Sequence, residues 1–247
     1  MPRPESYREG QPRWVELEST DPPRAQRFLA ELFGWTFTES PPGGHIDCLL
    51  DGARVAGVTP GAADRWLVYL SVADAEEVAR AASSHGAGSI VLDRAGDRGT
   101  TLLLDDPTGA RVGGWQAGAH PGFEMMWQPG SPVWFELVTN DFAAASAFYT
   151  AVFSWSLEVL SDSEEFRFST FGSGRDAMTG IEDGAGYLAG APSRWVVYFG
   201  VDDADATVER ARELGGTLVS PVEDTPFGRL AQLRDPSGAA FRVMQEP

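Results

Sequence analysis

Residues 14–18 read Trp-Val-Glu-Leu-Glu, an alternation of apolar and polar positions that predicts a short strand. Behind it, Ala25, Phe28, Leu29 and Leu32 fall at helical spacing, so a helix is expected over 21–33, capped by Asp21 with Pro22 in its first turn. Three short strands should follow at 36–39, 45–50 and 54–58, punctuated by turns at Pro41-Pro42-Gly43-Gly44 and Asp51-Gly52. The plan then starts again, with a strand at 66–72, a helix at 75–84 and strands near 89–92, 101–104 and 110–115. The predicted unit is β-α-β-β-β.

The second half of the chain repeats the first. Trp14-Val15-Glu16-Leu17 returns as Trp134-Phe135-Glu136-Leu137, and Phe33-Gly34-Trp35 as Phe153-Ser154-Trp155, both at an offset of 120 (134 − 14). Arg65-Trp66-Leu67-Val68-Tyr69 returns as Arg194-Trp195-Val196-Val197-Tyr198, and Asp106-Pro107-Thr108-Gly109-Ala110 as Asp235-Pro236-Ser237-Gly238-Ala239, at an offset of 129 (235 − 106). The difference of nine is an insertion in the second copy. Two modules are therefore expected, at 12–118 and 132–246, joined by a Gly- and Pro-bearing linker over 119–131.

The opening strand, the Asp-led helix ending in Phe-Gly-Trp and the final Asp-Pro-x-Gly-Ala strand resemble the vicinal oxygen chelate superfamily of glyoxalases, extradiol dioxygenases and bleomycin-resistance proteins. The paired modules are similar to the two-module actinobacterial type. The resemblance implies an α+β fold of two tandem modules, each built from two βαβββ units that form a curved mixed sheet around a cavity. It is specific for fold and leaves the activity open, because one scaffold hosts several chemistries and plain drug binding.

Metal-using members of the family take ligands from the first, fifth and last strands of a module. Those slots here carry Trp14 and Trp134, Leu67 and Val196, and Gly113 and Arg242, none of which can bind a metal ion. The histidines, His45, His85 and His120, share no ligand spacing and read as surface residues. No metal and no cofactor is expected.

Composition narrows the partners. With 36 acidic and 19 basic residues the formal charge is −17, which repels nucleic acid and anionic membranes. Every basic residue is Arg, so lysine Schiff-base chemistry is excluded. The single cysteine, Cys48, sits in an apolar run and reads as a core residue. No targeting segment or apolar run of membrane-spanning length is evident, so a cytoplasmic monomer or homodimer is expected.

Strand alternation directs Trp14, Glu16 and Glu18, and in the second copy Trp134, Glu136 and Val138, toward the concave face. Tyr69, Tyr198, Trp115 and Met244 fall on the same face, and Phe227 stands in a loop that could overhang the mouth. Of these, Trp14, Glu16, Tyr69, Trp115, Trp134, Glu136, Tyr198, Phe227 and Met244 make up the candidate ligand site, with Arg111 and Arg242 as candidate partners for the two glutamates. They equally suit a packed core between modules. Trp35, Trp155, Trp66 and Trp195 read as core. An aromatic lining suits a planar apolar ligand. The first expectation is thus a metal-independent protein that binds an aromatic small molecule, as in drug sequestration, resistance or secondary metabolism. The alternative is a metal-independent isomerase, cyclase or lyase on a polyketide-like substrate, using Glu16 or Glu136 with a tyrosine. A glyoxalase or dioxygenase proper would need the missing metal ligands.

Overall fold

The computed structural model describes residues 7–38, 44–94, 96–163 and 166–246. Glu39, which ends the expected second strand, and Pro41, Pro42 and Gly43 of the expected turn lie outside them. The chain forms two eight-stranded mixed sheets with helices, an α+β architecture. The first sheet contains β1 (Pro12–Ser19), β2 (Thr36–Phe37), β3 (Ile46–Leu50), β4 (Ala53–Pro60), β5 (Arg65–Ser71), β6 (Ile90–Arg94), β7 (Gly99–Asp105) and β8 (Arg111–Ala117). Helix α1 (Pro22–Phe33) follows β1, and α2 (Ala75–Ser84) follows β5. The second sheet runs through β9 (Pro132–Thr139), β10 (Leu157–Asp162), β11 (Arg167–Phe171), β12 (Thr179–Asp183), β13 (Arg194–Gly200), β14 (Thr217–Thr225), β15 (Gly228–Arg234) and β16 (Ala240–Gln245). Its helices are α3 (Phe142–Phe153), the short α4 (Ala185–Leu188) and α5 (Ala204–Glu213).

Strand order is β2-β3-β4-β1-β5-β8-β7-β6 in the first sheet and β10-β11-β12-β9-β13-β16-β15-β14 in the second. In each, the opening strands of the two βαβββ units pair antiparallel at the centre, and each unit's last strand lies parallel beside its own first. An aspartate caps each of the four long helices: Asp21, Asp74, Asp141 and Asp203 accept from first-turn backbone N–H groups. The recurring Asp-Pro-x-Gly-Ala motif has a similar local cause. Asp106 Oδ1 accepts from the N–H groups of Thr108 and Ala110, and Asp235 Oδ1 from those of Ser237, Gly238 and Ala239, which ties the turn before the last strand of each sheet.

The register also divides the insertion. Gly57 pairs with Glu16 and Gly180 with Glu136, an offset of 123 (180 − 57). Three of the nine residues (123 − 120) therefore precede β12, and six (129 − 123) follow it, where α4 lies.

The helix-bearing faces of the sheets pack against each other. Helix α1 meets α5, α2 meets α3, and β5 touches β13. One apolar core runs through both halves: Phe33 and Trp66 lie 5.1 and 5.0 Å from Phe199, and Phe28 lies 6.3 Å from Phe241. Trp35 and Trp155 are buried and make reciprocal crossings. Trp35 Nε1 donates to the Gly130 carbonyl (2.7 Å), just ahead of β9, while Trp155 Nε1 donates to the Gly10 carbonyl (2.9 Å), just ahead of β1. A third crossing exists on one side only. Tyr149 of α3 donates to Asp106 Oδ2 (3.1 Å) and accepts from Trp195 Nε1 (2.9 Å). At the related position stands Leu29, and Asp235 Oδ2 finds no protein partner. Among the described residues no helix is long and apolar enough to cross a membrane.

Gly10 has φ +77°, and a Cβ there would stand 2.3 Å from the Phe153 carbonyl oxygen. Gly34, with φ +72°, has nothing within 4 Å of such an atom. Gly34→Ala should therefore cost only the left-handed backbone penalty of about 1–2 kcal/mol, and Gly10→Ala clearly more. Chemical denaturation of the two variants checks the order.

Candidate functional site

On the outer face of the first sheet, the pairing of β1 with β5 sets Trp14 opposite Tyr69, Glu16 opposite Leu67 and Glu18 opposite Arg65. Tyr69 also pairs with Gly113 of β8, and its ring occupies the space a Gly113 side chain would take, since a Cβ there would lie 2.1 Å from Tyr69 Cδ1. Above this floor lies a hollow of about 260 Å³. Leu67, Tyr69, Leu103 and Trp115 give it an apolar side, with Trp115 edge-on to Tyr69 at 5.7 Å.

The polar side centres on Glu16. Its Oε1 lies 2.9 Å from His45 Nδ1, and its Oε2 accepts from the Tyr69 hydroxyl at 3.2 Å. Glu16 is 4% exposed, so these contacts replace the water a buried carboxylate requires. Hydrogen bonding to Glu16 raises the pKa of His45 above its usual value, against an opposing effect of burial. Burial and the Glu16 charge push the Tyr69 hydroxyl well up. Three arginines also line the hollow, each tied to its own carboxylate: Arg65 to Glu18 (2.8 Å), Arg98 to Asp47 (3.0 Å) and Arg111 to Asp105 (2.9 Å).

Several sequence expectations change here. Arg111 serves Asp105, and His45 takes the place expected for it beside Glu16. Trp14 is wholly buried and does not line the hollow, because the segment after β8 crosses over it, with His120 and Phe123 at 4.6 and 5.6 Å from its ring. His120, expected at the surface, is 4% exposed. His85 does lie exposed at the end of α2. Cys48 is buried.

The second sheet presents the same glutamate and tyrosine in a different setting. Glu136 Oε1 accepts from the Tyr198 hydroxyl (2.8 Å) and from Arg242 Nη1 (3.1 Å), and Arg242 bonds Tyr198 as well. Arg242 stands where the first sheet has Gly113 (242 − 129 = 113), so the second sheet has a guanidinium side chain at a position that carries none in the first. Leu188 of α4 packs with Val138, Val196 and Tyr198, and Trp134 and Met244 pack against this cluster. Trp134 is half-buried, 6.5 Å from Phe168. Met244 also borders a separate hollow of about 230 Å³ beside Trp127. Phe227 is 60% exposed on the β14–β15 turn. Thus Glu16, Tyr69 and Trp115 come together in one hollow, Trp134, Glu136, Tyr198 and Met244 form a packed cluster on the other sheet, and Trp14 and Phe227 join neither.

His45, Arg98 and the α4 contribution were not legible. His45 and Arg98 reach the hollow from just outside strands, one residue ahead of β3 and β7, where alternation carries no information, whereas Arg65 shares the parity of Leu67 and Tyr69 and was open to detection.

The donor set at the family's ligand slots does not fit a metal ion. Trp14 is enclosed by rings, Leu67 and Val196 have no donor atoms, and the Arg242 guanidinium is cationic. Among the described residues no group of three or more His, Cys, Asp or Glu is placed to hold one.

Burial, reinforced by the Glu182 carboxylate, raises the pKa of Glu136 from 4.5 to about 7, against the pull of Arg242 and Tyr198. A folded-state pKa above the unfolded one means that the folded chain holds this proton more tightly, so its contribution to stability is full below pH 4.5 and is lost as pH rises through about 7. Glu136→Gln should flatten the decline in stability between those values. Melting temperatures of both proteins across that range give the comparison.

Comparison with known proteins agrees with the architecture. The family model for the Glyoxalase/Bleomycin resistance protein/Dioxygenase superfamily matches residues 131–243. The protein named "Putative glyoxylase CFP32" from Mycobacterium tuberculosis (strain CDC 1551 / Oshkosh) is 35% identical, covering 99% of this chain and 98% of its own. The "Anthracycline biosynthesis protein DnrV" of Streptomyces peucetius is 33% identical over 96% of this chain and 93% of its own. Among solved structures, the 2,3-dioxygenase LapB from Pseudomonas sp. KL28 superposes with a TM-score of 0.69 at 13% identity, covering 98% of this chain and 95% of that one, which speaks to the fold. With full-length relatives at this identity and the same two-sheet fold, the chain belongs to the Glyoxalase/Bleomycin resistance protein/Dioxygenase superfamily.

Proposed function

We propose that the chain binds a compact aromatic small molecule in the hollow of the first sheet, without a metal ion. The observation that carries this reading is the hollow's two-sided lining, with Trp115, Tyr69, Leu67 and Leu103 opposite Glu16, His45 and Arg98. The apolar side suits the face of a ring, and the polar side suits hydroxyl, carbonyl or acidic substituents. The volume, about 260 Å³, sits just below the usual lower end of about 300 Å³ for small-molecule sites. It favours a ligand of one or two rings. A relative named for anthracycline biosynthesis supports a role in small-molecule metabolism, by sequestration, delivery or conversion.

Tryptophan fluorescence titrated with salicylate and with 2-naphthol, in the presence of a chelator, tests the reading. Saturable quenching is expected for at least one of them. Trp115→Ala should weaken it by about 0.5–1.5 kcal/mol, or roughly 2–10-fold, while Trp134→Ala on the other sheet should leave the affinity unchanged. Absence of saturation with both probes, or equal affinity in the Trp115 variant, overturns the assignment.

A further inference from the structure

Both oxygens of Glu16 are engaged, one by Tyr69 and one by His45, so the glutamate is poorly placed to take a proton itself. It does hold an imidazole in a defined tautomer. The Nδ1–H donates to Glu16 Oε1, which leaves the Nε2 lone pair of His45 as the basic atom. His45 is a third exposed at its side chain and borders the hollow. A buried carboxylate that orients an imidazole and steadies the imidazolium is the base-plus-orienter arrangement of nucleophilic and acid–base sites, here with no serine or cysteine bonded to the imidazole among the described residues.

Arg98 supplies the complementary charge. Its guanidinium is fixed by Asp47 (3.0 Å), which also accepts from Arg54 Nε (2.9 Å), and it borders the same hollow. Around His45, Glu16 of β1 and Asp93 of β6 favour the imidazolium, and Arg98 opposes it. The second sheet lacks this arrangement: at an offset of 123 (168 − 45) the position of His45 holds Phe168.

We propose that His45, positioned by Glu16 and Tyr69, is the base of a metal-free proton transfer on a compact carbonyl or phenolic compound held in the first sheet's hollow, with Arg98 facing the developing oxyanion. This deepens the binding reading and rests on it. In the step, a C–H proton adjacent to a carbonyl moves to His45 Nε2, and the electron pair left on carbon shifts into the carbonyl to give an enolate beside Arg98. Where a C=C bond is conjugated with the enolate, return of the proton from the imidazolium to the far carbon of that bond, with the double bond shifting, completes an isomerisation. Atoms and electrons balance with no oxidant, reductant or metal.

The test uses 5-nitrobenzisoxazole, a compact aromatic from which removal of one ring C–H proton breaks the N–O bond and releases the coloured 2-cyano-4-nitrophenolate. The full-length protein should turn it over saturably, with kcat rising with pH through a midpoint above 6.5. His45→Gln should lower kcat at least tenfold, near the low end of the roughly 10²–10⁴ supplied by general bases, while quenching by the probe stays within twofold. Glu16→Gln should move the midpoint down toward 6.5, a shift that a merely structural role would not produce. His85→Gln, on the exposed end of α2, should match the wild type. Turnover that is equal in the His45 variant, or a midpoint that Glu16→Gln leaves in place, overturns the proposal. If the probe quenches tryptophan fluorescence and is not turned over, proton transfer falls and binding stands. If it neither binds nor reacts, both fall.

Discussion

Two indole N–H groups, each reaching across to a glycine carbonyl of the opposite half, set the frame in which everything else sits. Trp35 and Trp155 stand two residues beyond the first helix of their own sheets, and each donates to the glycine two residues ahead of the other sheet's central strand. Each bond satisfies a buried indole donor, and this approach of the halves makes both at once. That approach puts helices against helices and Phe33, Trp66, Phe199 and Phe241 into a common interior. The outer face of each sheet, where Glu16 and Glu136 stand, is left to face away from the shared core.

From this common frame the two outer faces diverge through a few side chains. At one strand position, glycine in the first sheet makes room for a tyrosine ring and a hollow, while arginine in the second binds the glutamate directly. The α4 turn adds Leu188 over the same place. A buried guanidinium–carboxylate pair is retained more readily than it is broken, since loss of either partner strands the other charge. Divergence of this kind leaves a hollow on one outer face and a packed, ion-paired cluster on the other.

Much of the fold was legible from the alternation around Trp14 and Trp134, the helical spacing after Asp21 and Asp141, and the Asp-Pro-x-Gly-Ala turns, because these are local rules acting on local sequence. The same alternation put Glu16, Tyr69 and Trp115 on one face. It misjudged Trp14, because what covers that ring is a distant segment, and parity says which way a side chain points and nothing of what lies on top of it. His45 and Arg98 escaped for a related reason: both stand just outside strands, at distances from the hollow fixed by tertiary packing.

The segment that joins the halves crosses the first sheet on its way to the second. His120 and Phe123 lie on Trp14, the Phe123 N–H bonds to the Arg13 carbonyl, the Glu124 N–H to the Arg54 carbonyl, and the Glu124 carboxylate to the Arg54 guanidinium. Arg54 in turn shares Asp47 with Arg98, so the connector and the hollow's arginine hang from one carboxylate. The connector is thus a roof beam as much as a tether. The first half expressed alone would be unroofed, with an indole bared to water, and the hollow's lining would differ from that of the intact chain. The lining of the first sheet's hollow is thus a property of the joined pair, even though the hollow lies on only one of the two sheets.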